Sequence, residues 1–139
     1  MTTERSAWRR WTLLGLLLLV PGPPLSAADA AASISIRGED TLALSAHTSI
    51  PVLVGLAPGG AAFPLTLTPR IEGAAVELVR GRLLRSDGKP VDETHLRFDV
   101  PVVARSVGTA ILRVELVTYA CDPECRTISV QDGRVLRVR

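Results

Sequence analysis

Two cysteines, Cys121 and Cys125, are the residues of this sequence whose type and spacing most directly suggest chemistry. Between them, Asp122-Pro123 favours a tight turn, because proline presets φ for the second turn position and aspartate accepts hydrogen bonds from the backbone beyond it. Cysteines on either side of such a turn can approach to about 5.5 Å between Cα atoms, which permits a disulfide. The spacing therefore predicts a cysteine pair at the apex of a hairpin.

The role of this pair stays open on spacing alone. A disulfide across so short a loop constrains the unfolded chain weakly, and strained, exposed disulfides tend to be the labile or catalytic ones. These arguments favour thiol–disulfide exchange, while a plain hairpin-closing disulfide carries equal weight. Because Asp122 and Glu124 disfavour a thiolate nearby, we expect Cys121 to react with an activated partner rather than to be a strong nucleophile by itself.

The two histidines offer a different chemistry, since thiolate and imidazole together bind zinc or copper. A site built from Cys121, Cys125, His47 and His95 is conceivable, but the histidines lack the paired spacing of metal motifs. We therefore expect no metal and no other cofactor, with both histidines in surface turns. No nucleophile-elbow or phosphate-loop motif occurs, and acidic pairs such as Asp92-Glu93 are expected to be solvated.

Short alternating runs of apolar and polar residues surround the cysteines, and this period-2 pattern predicts β-strands. The clearest runs are His95 to Val103 and Thr109 to Tyr119, the second of which leads directly into Cys121. Asp132-Gly133 predicts a hairpin turn near the end of the chain, and Pro69 is expected to end an earlier strand. The remaining strands are predicted at 33–37, 42–44, 49–56, 65–68, 75–84, 126–130 and 134–138.

The spacing of these runs also predicts the architecture. No segment carries a long helical stripe, and seven or more short strands separated by Gly, Pro and Asp are typical of an antiparallel sandwich. Only Phe63, Phe98 and Tyr119 are aromatic beyond the first 30 residues, so Val, Leu and Ile must fill the core. We therefore predict an all-β, antiparallel β-sandwich of about seven to nine strands.

The first 30 residues have the parts of a secretory signal peptide. Arg5, Arg9 and Arg10 form a basic region, Leu13 to Val20 is an apolar run broken by one glycine, and Ala28-Asp29-Ala30 fits the small-residue rule for cleavage. The apolar run is shorter than the roughly 20 residues of a permanent span, although an uncleaved anchor is the alternative. The sequence therefore predicts a cleaved leader.

Cleavage divides the chain into a signal peptide, residues 1–30, and one domain, residues 31–139. The whole chain has 16 basic and 14 acidic residues, a formal charge of +2, and loss of the leader lowers this charge to about +1, which is no electrostatic footprint for nucleic acid. We expect a periplasmic or secreted product without stable membrane insertion, in a compartment where nearby cysteines form disulfides.

The residues around the cysteines resemble the amino-terminal periplasmic domain of the thiol:disulfide interchange protein DsbD. The similar residues are Phe98-x-Val100-Pro101-Val102, a turn containing Gly108, and the alternating run from Leu112 that ends in Thr118-Tyr119-Ala120-Cys121, with a second cysteine close by. Pro64-Leu65 and the segment 71–75 also lie where that family has comparable stretches. The resemblance spans about residues 50–130.

This resemblance implies an immunoglobulin-like sandwich that exchanges disulfides with a thioredoxin-like protein or a membrane electron transporter. It implies that Cys121 and Cys125 are the redox-active pair and that Tyr119 is the aromatic residue before it. Phe63 would be a loop residue that shields the pair, and Pro123 would shape the turn between the two cysteines.

Two features depart from that family's pattern. Three residues separate the cysteines where the family usually has more, and Arg126-Thr127 stands where prolines commonly follow the second cysteine. The departures keep two other functions open beside thiol–disulfide exchange. One is a non-catalytic secreted β-sandwich adaptor with a structural disulfide, and the other is a copper or zinc carrier.

Overall fold

The computed structural model of the protein describes residues 32–121 and 123–139, so the predicted signal peptide and Asp122 lie outside the described residues. Two 3-10 turns, Gly60–Ala62 and Arg85–Asp87, lie in the connections. Within the described residues, no helix has the length and apolar character needed to traverse a bilayer. The strands in chain order are β1 (Ala32–Ile36), β2 (Thr41–Leu42), β3 (His47–Leu56), β4 (Thr66–Glu72), β5 (Val76–Leu78), β6 (Leu83–Leu84), β7 (Lys89–Pro90), β8 (His95–Ala104), β9 (Gly108–Cys121) and β10 (Cys125–Val138).

These strands form two sheets that pack face to face. The first sheet has the order β1-β3-β8-β5, with β7 also paired to β8, and the second has the order β2-β10-β9-β4-β6. Paired strands are antiparallel, except that β2 runs parallel to β10 over two residues. The predicted all-β sandwich is thus confirmed, with ten described strands where about seven to nine were predicted and with three of the ten only two residues long.

The core between the sheets follows from the alternation along the long strands. In β8, Phe98 and Val100 are buried, and in β9, Leu112, Val114 and Leu116 are buried, while the residues that alternate with them face outward. Each such side chain contributes about 1.5–3 kcal/mol when it is removed from water. The other members with no exposed surface are Val52, Val54, Leu67, Ala104 and Leu136.

Strand β10 runs unbroken through Asp132-Gly133, so the predicted hairpin turn at that dipeptide is wrong. The strand pairs with β9 along its whole length, from Cys125 opposite Cys121 to Val138 opposite Gly108. A two-residue turn would give up the pairing of one half of this strand. The long ladder therefore outweighs the local preference of Asp-Gly for a turn.

The side chains flanking that dipeptide explain what the aspartate does instead. The carboxylate of Asp132 accepts a hydrogen bond from the backbone N–H of Ile36 at 3.0 Å. The guanidinium of Arg134 donates to the carbonyl of the same Ile36 at 3.4 Å. Because β1 is an edge strand with unpaired backbone groups, these two charged side chains join the edges of the two sheets.

Three other predicted strands have different bounds. Strand β4 continues through Pro69. Its neighbour β6 pairs only with Thr66 and Leu67, so this side of β4 has no paired strand at Pro69. A proline is tolerated at such an edge, because no ladder hydrogen bond needs its missing N–H. The segment 75–84 is not one strand, because β5 pairs in the first sheet and β6 in the second. The predicted strand 42–44 is also shorter, because Leu44 lies beyond the end of β2 and is 47% exposed.

Strand direction gives the sandwich two distinct ends. The cysteine end holds the β9–β10 turn, the β3–β4 loop (57–65), the β7–β8 loop (91–94) and the start of β1. The opposite end holds the β8–β9 turn (105–107) and Arg139, whose backbone N–H donates to the carbonyl of Leu42. Because β9 has 14 residues, the two ends are roughly 40 Å apart.

Candidate functional site

The hairpin tip, residues 121 and 123–125, carries the candidate site. Cys121 is the last residue of β9, Cys125 is the first residue of β10, and the two face each other in the register of the ladder. They form a disulfide with an S–S distance of 2.01 Å and a Cα–Cα distance of 3.9 Å. The predicted apposition of the two cysteines at a hairpin apex is confirmed.

The tip is open to other molecules. Cys125 is exposed and Cys121 is half-buried, so the two sulfur-bearing residues differ in access. Pro123 and Glu124 between them are exposed as well. An incoming thiol or thiolate can therefore approach the disulfide from the side of Cys125.

The aromatic residues assigned to the site lie on two different segments. Tyr119 is on the hairpin itself, opposite Thr127 and 43% exposed. Phe63 is half-buried in the β3–β4 loop rather than on the hairpin, and its carbonyl accepts a hydrogen bond from Arg85 at 3.0 Å. Tyr119 thus shares the hairpin with the cysteines, and Phe63 belongs to the neighbouring loop.

A hydrogen bond fixes that loop beside the end of β9. The hydroxyl of Thr118, which is 2% exposed, donates to the carbonyl of Pro64 at 3.2 Å. Since Pro64 follows Phe63 and Thr118 precedes Tyr119, this bond places both aromatic residues at the cysteine end of the sandwich. The assignment of Phe63 as a shield of the disulfide stays a prediction.

The conceivable four-ligand metal site is not assembled. His47 lies opposite Val103 and His95 opposite Gly55, at the two ends of the β3–β8 ladder, so about 27 Å separates them at roughly 3.4 Å per residue. Across residues 32–121 and 123–139, no group of three or more His, Cys, Asp and Glu side chains is arranged to hold a metal ion. A carrier that binds its metal through all four residues is therefore wrong for this fold.

One polar cluster at the same end was missed by sequence reasoning. The Asp92 carboxylate contacts Nδ1 of His95 at 2.9 Å and accepts from the backbone N–H of Thr94 at 2.8 Å. The N–H of Thr94, and next the imidazole of His95, lower the pKa of Asp92 to about 2. In an Asp-x-Thr sequence, the aspartate commonly accepts a hydrogen bond from the backbone N–H two positions on. This tripeptide was the signal from which the cluster could have been predicted.

Comparisons with known proteins add a fold similarity. No protein-family model matches the chain, and no curated protein matches it. A fragment of native alpha-2-macroglobulin from Escherichia coli, from domain MG7 to the carboxyl terminus, aligns over 78% of this chain with a TM-score of 0.52 and 14% identity. The chain spans only 17% of that fragment, so the similarity supports a β-sandwich and nothing about the fragment's activity.

A second solved structure with a weaker similarity is AggA, the major subunit of aggregative adherence fimbriae type I from Escherichia coli. It aligns over 78% of this chain and 95% of its own length, with a TM-score of 0.44 and 9% identity.

Proposed function

We propose that this chain is an exported thiol–disulfide exchange module that passes electrons between the Cys121–Cys125 pair and a thioredoxin-like protein or a membrane electron transporter. The observation that carries the proposal is the position of the disulfide at a hairpin apex with Cys125 exposed. The resemblance of the surrounding residues to the amino-terminal domain of DsbD supports the same function. Export supplies the oxidising compartment in which such a pair can cycle.

The energetics of the hairpin also favour exchange over stapling. The disulfide joins residues only four apart in sequence, and the chain-entropy relation gives such a small ring about 2 kcal/mol. The β9–β10 ladder already holds both cysteines in place through continuous pairing down to Val138 opposite Gly108. The hairpin therefore keeps its two cysteines together when the sulfur–sulfur bond is open.

The proposed reaction proceeds through a mixed disulfide. In the dithiol form, the thiolate of Cys125 attacks one sulfur of the partner's disulfide, and the partner's other sulfur leaves as a thiolate. The Cys121 thiolate then attacks Sγ of Cys125, which releases the partner as a dithiol and restores the Cys121–Cys125 disulfide. Two electrons pass to the partner, and reduction of this chain follows the same steps in reverse.

The residues around the tip suit contact with a docked protein. Tyr119 and Pro123 present apolar surface next to the cysteines without blocking Cys125. Leu84 lies at the same end and is 44% exposed. It precedes the 85–87 turn, whose Arg85 donates a hydrogen bond to the carbonyl of Phe63. Tyr119 and Pro123 thus flank the reactive bond with exposed apolar surface, which is typical of a site where a partner binds.

The reduction potential of the pair tests the proposal. Equilibration with glutathione or thioredoxin buffers, read by mass spectrometry of alkylated protein, should give a value above about −300 mV. A potential below that limit is typical of an inert structural bridge and contradicts exchange. The exported protein, in its disulfide form, is the starting material.

A non-catalytic β-sandwich adaptor is the second candidate, because the cysteines are direct register partners that continue the ladder by one rung. The paired substitution Cys121→Ser with Cys125→Ser separates the two functions. An exchange module should lose thiol transfer and keep its fold, with a stability loss of at most about 2 kcal/mol. A variant that unfolds while the wild type shows no thiol transfer favours the adaptor.

A further inference from the structure

A second group of side chains converges on the outer face of the first sheet. Ser33, Gly55 and His95 form one row across β1, β3 and β8. A Cβ placed on Gly55 would collide with Oγ of Ser33 and lie 3.4 Å from Nε2 of His95. The glycine thus leaves open the space across which the hydroxyl and the imidazole face each other.

The opposite side of the His95 ring is held by Asp92. The two carboxylate oxygens of Asp92 lie 2.9 and 3.0 Å from Nδ1 of His95. A carboxylate accepts hydrogen bonds and cannot donate them, so Nδ1 carries the proton of the neutral ring. The unprotonated Nε2 is therefore the acceptor on the side of the ring that faces Gly55 and, beyond it, Ser33, although no hydrogen bond joins it to Oγ of Ser33.

Asp92 is itself fixed by the residue before the histidine. The backbone N–H and the hydroxyl of Thr94 donate to Oδ1 of Asp92 at 2.8 and 3.2 Å. The carboxylate therefore keeps its orientation when the ring takes up a proton. The groups thus follow the order hydroxyl, imidazole and carboxylate of an activated serine. The hydrogen bond between nucleophile and base is often longer in a free enzyme than in its complex with substrate.

We propose that Ser33, His95 and Asp92 form a nucleophilic site for acyl transfer from small carboxylic esters. Oγ of Ser33 attacks the ester carbonyl carbon while its proton passes to Nε2 of His95. The bond between that carbon and the alcohol oxygen breaks, and the alcohol leaves with the proton. Water then attacks the acyl–serine by the same route and releases the carboxylic acid.

The neighbouring surface indicates the size of the acyl group. A shallow cavity of about 300 Å³ on the same face is lined by Pro51, Leu53, Arg37 and Arg97. Leu53 lies opposite Arg97 and two residues from Gly55, so the cavity adjoins the row of Ser33 and His95. We expect a short acyl chain to lie against Pro51 and Leu53. The site lies on the first sheet and does not use the cysteine pair.

A fluorophosphonate probe tests the assignment on the full chain. Attack by an activated serine displaces fluoride from the probe, and peptide mass spectrometry locates the label. We expect the label on Ser33, no label after Ser33→Ala, and labelling about 100-fold slower after His95→Gln. Ser35→Ala is the matched control, because Ser35 lies on the same strand and face but opposite Leu53.

Hydrolysis of p-nitrophenyl acetate gives an independent readout on the same variants. Turnover that falls in parallel with labelling in Ser33→Ala and His95→Gln, with wild-type circular dichroism, supports the site. Absence of labelling in the wild type, equal labelling of Ser35, or a labelling rate unchanged by His95→Gln overturns it.

Discussion

The two sulfur atoms of the disulfide share one bond but differ in access. Cys125 is exposed and its neighbour Glu124 is exposed too, whereas Cys121 is half-buried at the end of β9. An acidic neighbour opposes both the approach of a partner's thiolate and the formation of a thiolate on the chain. The charge next to Cys125 therefore sets the rate of the proposed exchange.

The substitution Glu124→Lys should make exchange faster. A positive charge at this position stabilises the thiolate and attracts the incoming one, so we expect the rate of reduction by thioredoxin to rise about three- to tenfold at low ionic strength. Stopped-flow measurements at two salt concentrations check this, and the gain should shrink in high salt. Glu115→Lys, in the middle of β9, is the control and should leave the rate unchanged.

Gly88 is required by close packing against the core. A Cβ at this position would lie 2.7 Å from Cζ of Phe98, whose ring is fully buried and has no room to shift. Gly88→Ala should therefore destabilise the protein by about 1–3 kcal/mol in urea unfolding. Gly81→Ala is the control, because nothing lies within 4 Å of its Cβ; it should be neutral or stabilise by up to about 1 kcal/mol.

Part of the stability of the protein depends on pH through the carboxylate of Asp92. Its pKa is lowered to about 2 from 3.8, so its contribution is complete above about pH 4 and is lost as the pH falls through 2. The difference in melting temperature between wild type and Asp92→Asn should be largest near neutral pH and vanish near pH 2. Glu93→Gln controls for removal of a negative charge, and an equal pH dependence in that variant would contradict the role of Asp92.

Single residues show where sequence reasoning succeeded and where it stopped. The approach of Cys121 to Cys125 was predictable, because a short turn determines it locally. The approach of Ser33 to His95 was not, because it depends on the register of β1, β3 and β8 and on the missing side chain of Gly55. Contacts created by strand register leave no mark in the local sequence.

Among the elements, the long central strands were the most predictable. Strands β3, β8 and β9 are buried on one face and follow the alternation closely. Asp132-Gly133 misled the prediction because its turn preference is local, while the strand that contains it is stabilised by pairing with β9 over its full length. The segment 75–84 misled it because an apolar run does not say which sheet it joins.

The Asp132 carboxylate should hold β1 against the second sheet. Asp132→Ala leaves the N–H of Ile36 without its acceptor, so we expect a loss of about 1–3 kcal/mol and faster hydrogen exchange at Ile36. Gln131→Ala, on the opposite face of the same strand, should change stability by less than about 0.5 kcal/mol. Unchanged exchange at Ile36 in Asp132→Ala would show that β3 alone holds the strand.

For the molecule as a whole, stability comes from the aliphatic core rather than from charges. The ion pair between Arg113 and Glu72, 2.7 Å apart, has both side chains more than half exposed, and such pairs contribute about 0–1 kcal/mol. Leu112, which precedes Arg113 in β9, points into the core and has no exposed surface.

These neighbours in sequence give a direct comparison. Leu112→Ala should cost about 2–5 kcal/mol, and Arg113→Ala should cost less than about 1 kcal/mol. Urea unfolding of both variants measures the difference. Similar losses of stability in the two variants would contradict a β9 with one face in the core and the other in the solvent.

The placement of Arg139 at the far end of the sandwich from the disulfide has a practical consequence. A biotin or a sensor-chip linkage added behind Arg139 would orient every copy with its reactive bond directed into the solution. With Cys121→Ser attached in the same way, a candidate donor or acceptor of electrons would stay bound to Cys125 as a mixed disulfide, because the sulfur that releases it is gone.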